Sequence, residues 1–183
     1  MNIAELLRDK KIFSLLHRID EELAGSAREQ GCGCGGKLHG GDYPRKARGC
    51  LEACMEFFRR RFSFCCALCR KRTTPPSVRF FGRRFYVAAV FALIAPRGVH
   101  TARWLSQELQ VPVETIRRWR RWWREEFAAS AFWLAKCADF APPVSPAALP
   151  AGALERFEGQ CLMDRLLGFL RFLSPLTTRV LHV

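Results

Sequence analysis

Two cysteine clusters about thirty residues apart, "GCGCGG" at 31–36 and "FCCALCRKR" at 64–72, constrain this chain more than any other feature. Zinc favours four tetrahedral thiolate or imidazole ligands, delivered by two short Cys-turn-Cys knuckles at the ends of hairpins. The second cluster has the standard two-residue spacing in Cys66-Ala67-Leu68-Cys69. The first, Cys32-Gly33-Cys34, is one residue short. Gly35 and Gly36 follow it and free the backbone amides to turn back toward the sulfurs. The predicted ligands are Cys32, Cys34, Cys66 and Cys69, with Cys65 and His39 as substitutes, and a set of buried free thiols as the other reading. Arg70 and Lys71 stand where positive charge offsets a tetrathiolate. A catalytic zinc keeps an open water position and a nearby base. Neither cluster holds an acidic residue, so the expected Zn2+ is structural. It supplies folding free energy to a module too small for a core of its own. Cys50 and Cys54, spaced i, i+4 in "CLEACMEFF", are expected to pack on one face of a short helix, and Cys137 and Cys161 to lie in the core.

Charge sets the partner class. The 183 residues carry 30 Lys+Arg against 17 Asp+Glu, a formal +13. The excess is local: residues 45–124 hold 19 basic and 4 acidic residues, a balance of +15. Most of these cations are arginines, whose planar donors suit phosphate and guanine edges. A basic block of this size points to nucleic acid or an anionic membrane. The longest uncharged apolar run, "FYVAAVFALIA" at 85–95, is too short to cross a bilayer, which takes ~20 residues. The first segment, "MNIAELLRDKKIFSLLHRIDEEL", has no h-region or cleavage site. It reads as an amphipathic helix packing through Ile3, Leu6, Leu7, Phe13, Leu16 and Ile19. The expected location is cytoplasmic and nucleoid-associated, where cysteines stay reduced.

"VETIRRWRRWWREEF", 113–127, gathers five arginines and three tryptophans. At 100° per residue Ile116, Trp119, Trp123 and Phe127 share one face. Arg117, Arg118, Arg121 and Arg124 oppose them. Upstream, "HTARWLSQELQVPV" supplies a helix with Thr101 as N-cap and Trp104, Leu105 and Leu109 inward, then a tight turn at 110–113. The next helix opens near Pro112, where proline is tolerated. Val111 and Ile116 are expected to plug the angle, and Gln110 to take positive φ where glycine is usual, at a cost of ~1 kcal/mol. "GRRFYVAAVFALI", 82–94, is expected to be the first, central helix. This is a helix-turn-helix layout, whose second helix enters the major groove. The base-facing candidates are Glu114, Thr115, Arg117, Arg118 and Arg121, with Arg124 and Arg120 on phosphate. Trp119 and Trp123 are core; Trp122 lies off that face and is the aromatic with scope for another role. Arg45, Lys46 and Arg48 in "DYPRKARG" form either an arm onto phosphate or minor groove or a solvated loop. Arg79, Arg83 and Arg84 are expected on phosphate.

Four sections result: an N-terminal amphipathic helix (1–30), a zinc-ribbon-like module (31–80), a helix-turn-helix DNA-binding domain (81–130), and a Pro/Ala linker with a C-terminal amphipathic helix (131–183). The fold class is mostly α with a small β zinc ribbon, a three-helix helix-turn-helix domain and a C-terminal helix at 153–173. That last helix either closes the core, the preferred reading, or forms a homodimer or docks a partner protein such as a recombinase.

The order of parts resembles the zinc-ribbon/helix-turn-helix modules of bacterial insertion sequences: a knuckle with "CGG", a second knuckle followed by "RKRTTPPSVRFFGRRFY", then the helix-turn-helix. The resemblance spans residues 31–127. It implies recognition of mobile-element DNA. Transposase chemistry needs carboxylates holding two metal ions on an RNase H-like fold, for which the 56 residues after Phe127 are too few. The resemblance therefore implies no enzyme but an accessory or regulatory factor working beside a separately encoded transposase. The alternatives are a transcriptional repressor of the element, or a zinc-dependent adaptor binding RNA or an acidic protein. The four histidines are scattered, which speaks against acid-base or nucleophilic catalysis.

Overall fold

The computed structural model describes residues 3–45, 52–81, 86–87 and 101–178. The N-terminal segment is two helices, α1 (Ile3–Arg8) and α2 (Lys10–Gln30), because Asp9 leaves the helical path and caps α2, its side chain accepting from the Lys11 amide at 2.8 Å. Gly31, at φ 72°, ends α2. This 21-residue helix is long enough to reach two separate apolar clusters. Ile12, Phe13, Leu16 and Ile19 enter the main core. Ala24 enters a small cluster with Leu38, Phe64 and Cys66.

Strand β1 (Leu38–Gly40), β2 (Tyr43–Pro44), β3 (Arg60–Arg61), β4 (Phe64–Cys66) and β5 (Arg72–Thr73) are short and antiparallel. The order β1-β4-β5 forms one sheet, with Leu38 opposite Cys66 and Phe64 opposite Thr73; β2 pairs β3 separately. Cys54 lies on a 3-10 helix, Glu52–Phe58, and is fully buried with Phe58 in the main core. Val78, Phe80 and Phe81 join the same core. The stretch after the second knuckle is therefore part of the larger body.

A buried ion pair joins α2 to the segment 77–79. Arg79 Nε donates to Asp20 Oδ2 at 2.8 Å, with the two side chains 1% and 0% exposed. Asp20 also accepts from Ser77 Oγ (2.5 Å) and the Val78 amide (2.7 Å). The rest of the Arg79 guanidinium reaches His17 Nδ1 (2.7 Å), the Phe57 carbonyl and the Arg60 carbonyl (3.3 Å), and lies near the Phe62 and Phe80 rings. Burial, then Arg79, pushes the His17 pKa down, against the opposing pull of Glu21 and Asp20.

Residues 86–87 differ from expectation. Tyr86–Val87 form β7, paired with β6 (Phe80–Phe81), not part of a helix. β-branched and aromatic residues favour this pairing, and Gly82 stands between the two strands in sequence. The remainder of the expected 82–94 helix lies outside the described residues.

Helices α3 (Ala102–Leu109) and α4 (Val113–Trp122) follow, joined by a three-residue turn. Thr101 caps α3, its side chain accepting from the Trp104 amide at 3.1 Å. Gln110 takes the left-handed conformation at φ 49°. Val111 and Ile116, 5% and 0% exposed, fill the angle. The helix then widens into a π turn at Trp123–Phe127. Residues four apart drift around an α-helix, and the wider turn takes up that drift. Trp119, Trp123 and Phe127 therefore all stay buried, at 2%, 0% and 0% exposed.

After α5 (Ala131–Lys136), the C-terminal section is α6 (Ala151–Leu154) and α7 (Leu162–Leu173), not one helix from 153. Gly159 at φ 152° breaks the path, and Asp164 accepts the Cys161 amide at 3.2 Å to start α7 afresh. The α7 stripe of Leu166, Phe169, Leu170 and Leu173 is buried in the main core, Phe169 stacking on Trp123 at 5.8 Å. Cys161 is exposed. No helix among the described residues is long and apolar enough to cross a membrane.

Candidate metal centre and cationic helix face

The Sγ atoms of Cys32, Cys34, Cys66 and Cys69 lie within 4.8 Å of one another. The Cys32–Cys69 and Cys34–Cys66 separations are both 3.5 Å. A tetrahedral zinc with sulfurs at ~2.3 Å needs edges of ~3.8 Å. The four thiols fit that ion, and they are the four named from the sequence. His39 and Cys65 face each other across the β1–β4 pair and stand outside the group.

The short first knuckle works because glycine supplies the missing reach. The Gly35 amide donates to the Cys32 carbonyl at 2.7 Å with φ at 79°, and the Cys32 amide donates back to Gly36 O at 3.2 Å. The Gly36 amide then points at Cys34 and lowers its pKa. Gly36 is also pressed against the second knuckle: a Cβ there would lie 2.5 Å from Cys66 Sγ. In the second knuckle the Arg70 amide returns to Cys66 O at 3.2 Å, and Arg70 itself takes φ 59°.

These amides set the order of ionisation. Hydrogen bonds from the Cys69 and Leu68 amides hold the Cys66 thiol down to about 6. Cys69 receives the Lys71 amide, yet the thiols beside it push it up to about 12. Four thiols in one place do not all ionise unaided, so a divalent cation is the natural replacement for the retained protons. Gly36→Ala should weaken zinc binding roughly 10–100-fold, the scale of lost outer-shell support. Competition with a chromophoric chelator measures it, and wild-type affinity in the variant would contradict the cradle.

On α4 the faces divide as the wheel requires. Glu114, Arg117, Arg118, Arg121 and Arg124 are exposed opposite the buried spine. Thr115 is 9% exposed and packs inward, so it leaves the predicted base-facing set. Its neighbour Ile116 drives this, since two adjacent positions at 100° both reach the wide core face. Arg117 pairs with Glu114 one turn before it. Burial, then Arg124, lowers the pKa of half-buried Arg120. Trp122 is half-buried and packs edge-on against Phe81 at 5.4 Å.

Arg79, expected on phosphate, is instead the 0%-exposed cation of the core. The sequence signal missed was Asp20, which continues the Phe13–Leu16 stripe and calls for a buried cation. Arg45 is half-buried with its guanidinium 3.8 Å over the Tyr43 ring. Lys46, Arg48, Arg83 and Arg84, like Cys50, lie outside the described residues. Comparison with protein-family models, curated proteins and solved structures finds no match to the chain.

Proposed function

We propose that this protein binds duplex DNA sequence-specifically, with a structural zinc bracing the ribbon and α3–α4 acting as a helix-turn-helix that lays α4 in the major groove. The observation that carries this is the division of α4: its apolar spine is fully buried, while Arg117, Arg118, Arg121 and Arg124 stand exposed on the other side. A helix anchored this firmly offers its cations with little ordering cost. Arginine in that setting reads guanine bidentately or holds phosphate. The resemblance in the order of parts supports a role beside a bacterial mobile element, as an accessory or regulatory factor that leaves strand cutting to a separately encoded recombinase.

Arg117→Ala/Arg121→Ala tests this directly. Each base contact is worth ~1–3 kcal/mol, so the double variant should lose roughly 100-fold or more on its site while unfolding at the wild-type temperature. Binding to duplex DNA equal to wild type would remove α4 as the reading helix.

A further inference from the structure

At the tip of the second knuckle, between the ligands Cys66 and Cys69, the Leu68 side chain takes no part in holding the metal. Leu68 is 70% exposed, more than Met55 at 43% or Leu134 at 62%. It stands on a turn held by several backbone hydrogen bonds. The Ala67 amide donates to Lys37 O at 2.9 Å, the Cys66 amide to Lys71 O at 3.0 Å, and both ends of the turn carry metal-site thiols. The Leu68 side chain rests over Gly36, where a Cβ would meet its Cγ at 3.0 Å.

Cations surround this apolar prong. Lys37, Arg70 and Lys71 are exposed, and their side chains make no hydrogen bond or ion pair among the described residues. Arg72 is already committed to Gly41 O at 3.0 Å. Two charges would suffice to offset four thiolates on a divalent ion, and offsetting explains no exposed leucine. Beside the tip, a cavity of about 400 Å³ is lined by Arg28, Lys37 and His39 together with one acid, Glu29. Its Gly36–Lys37 wall is shared with the prong.

We propose that the second knuckle is a minor-groove probe: Leu68 wedges against a base step while Arg70 and Lys71 hold the flanking phosphates, and the Lys37 cavity takes the next phosphate along. The proposal rests on the DNA-binding reading above. A rigid apolar wedge between cations is the chemistry by which proteins partly unstack and bend DNA. Flexible pyrimidine–purine steps yield to it most readily. The wedge costs little to present because the metal and the backbone bonds fix it beforehand.

The test uses the full zinc-loaded chain and two end-labelled duplexes of equal length and composition. One has a central TA step and the other a central A-tract. At about 50 mM salt, where contacts to phosphate are strong, wild type should prefer the TA duplex and shorten its end-to-end distance. Leu68→Ala should lose about tenfold on that duplex, from the apolar burial forgone, and should lose the bend. Leu68→Met should restore both. Arg70→Gly suits the positive φ and should keep the zinc, while lowering the slope of log affinity against log salt by about one. Wild type binding neither duplex would overturn the DNA reading itself. Wild-type binding with Leu68→Ala equal in affinity and bend would overturn the wedge alone. Leu68-dependent binding to phosphatidylserine vesicles, with no such dependence on DNA, would also overturn it.

Discussion

Arg79→Ala should cost about 3–5 kcal/mol of folding stability, because it strands the Asp20 carboxylate in a dry interior. Asp20 is 1% exposed and its three partners all come from residues 77–79. Losing Arg79 leaves two neutral donors on a full charge. Domains of this size have roughly 5–15 kcal/mol in hand, so the variant sits near the edge of folding. Asp20→Ala should be comparably damaging, since Arg79 then keeps its charge with only His17 and two carbonyls to face. Asp20→Leu/Arg79→Met should recover a good part of the loss, because removing both ions removes both desolvation penalties. Urea denaturation followed by tryptophan fluorescence gives all three values. Arg79→Ala within about 1 kcal/mol of wild type would contradict the hub, that being the range of an exposed pair.

Metal removal should unfold the ribbon and leave the helical body standing. The ribbon's own cluster has only Ala24, Leu38, Phe64 and Cys66 buried, whereas the main core holds the tryptophan and phenylalanine spine and α7. Structural zinc contributes on the order of 10–16 kcal/mol in small modules, far more than four side chains supply. On chelation, amide protection should vanish at Leu38–Gly40 and Phe64–Cys66 and persist along α4 and α7. Protection kept in those strands without metal would contradict this division. The pH dependence follows from the thiols. Cys66 is depressed from 9.0 to about 6, so its thiolate contribution is complete above pH 9 and is lost as pH falls through 6. Below that point zinc must displace four protons and above it fewer, so affinity falls more steeply on the acid side.

What the sequence made legible was whatever depends on local spacing. The four thiols, the Thr101 cap, the Gln110 turn and the buried Trp119–Trp123–Phe127 spine all follow from intervals of two to four residues and appear where expected. What it hid depends on distant pairing. Arg79 read as one more cation in a basic block, since nothing within ten residues distinguishes it; its partner lies 59 positions upstream. Thr115 was misplaced because a wheel assigns an angle but not the width of the face that gets covered. The split at Gly159 was missed because the apolar period runs through it, whereas Phe157 packing against Gly168 needs the turn. Sheet β6–β7 went unseen because "FYVAAVFALIA" suits a buried helix or strand equally.

Whether α4 reads sequence through its exposed arginines is tested most directly by selection from a random duplex library. The zinc-loaded wild type and Arg117→Ala/Arg121→Ala would be carried through rounds at about 150 mM salt, which suppresses purely ionic binding. Wild type should yield a defined motif that blurs in the variant. An unenriched pool from wild type, with binding that simply fades as salt rises, would contradict it and reduce the arginines to phosphate contacts.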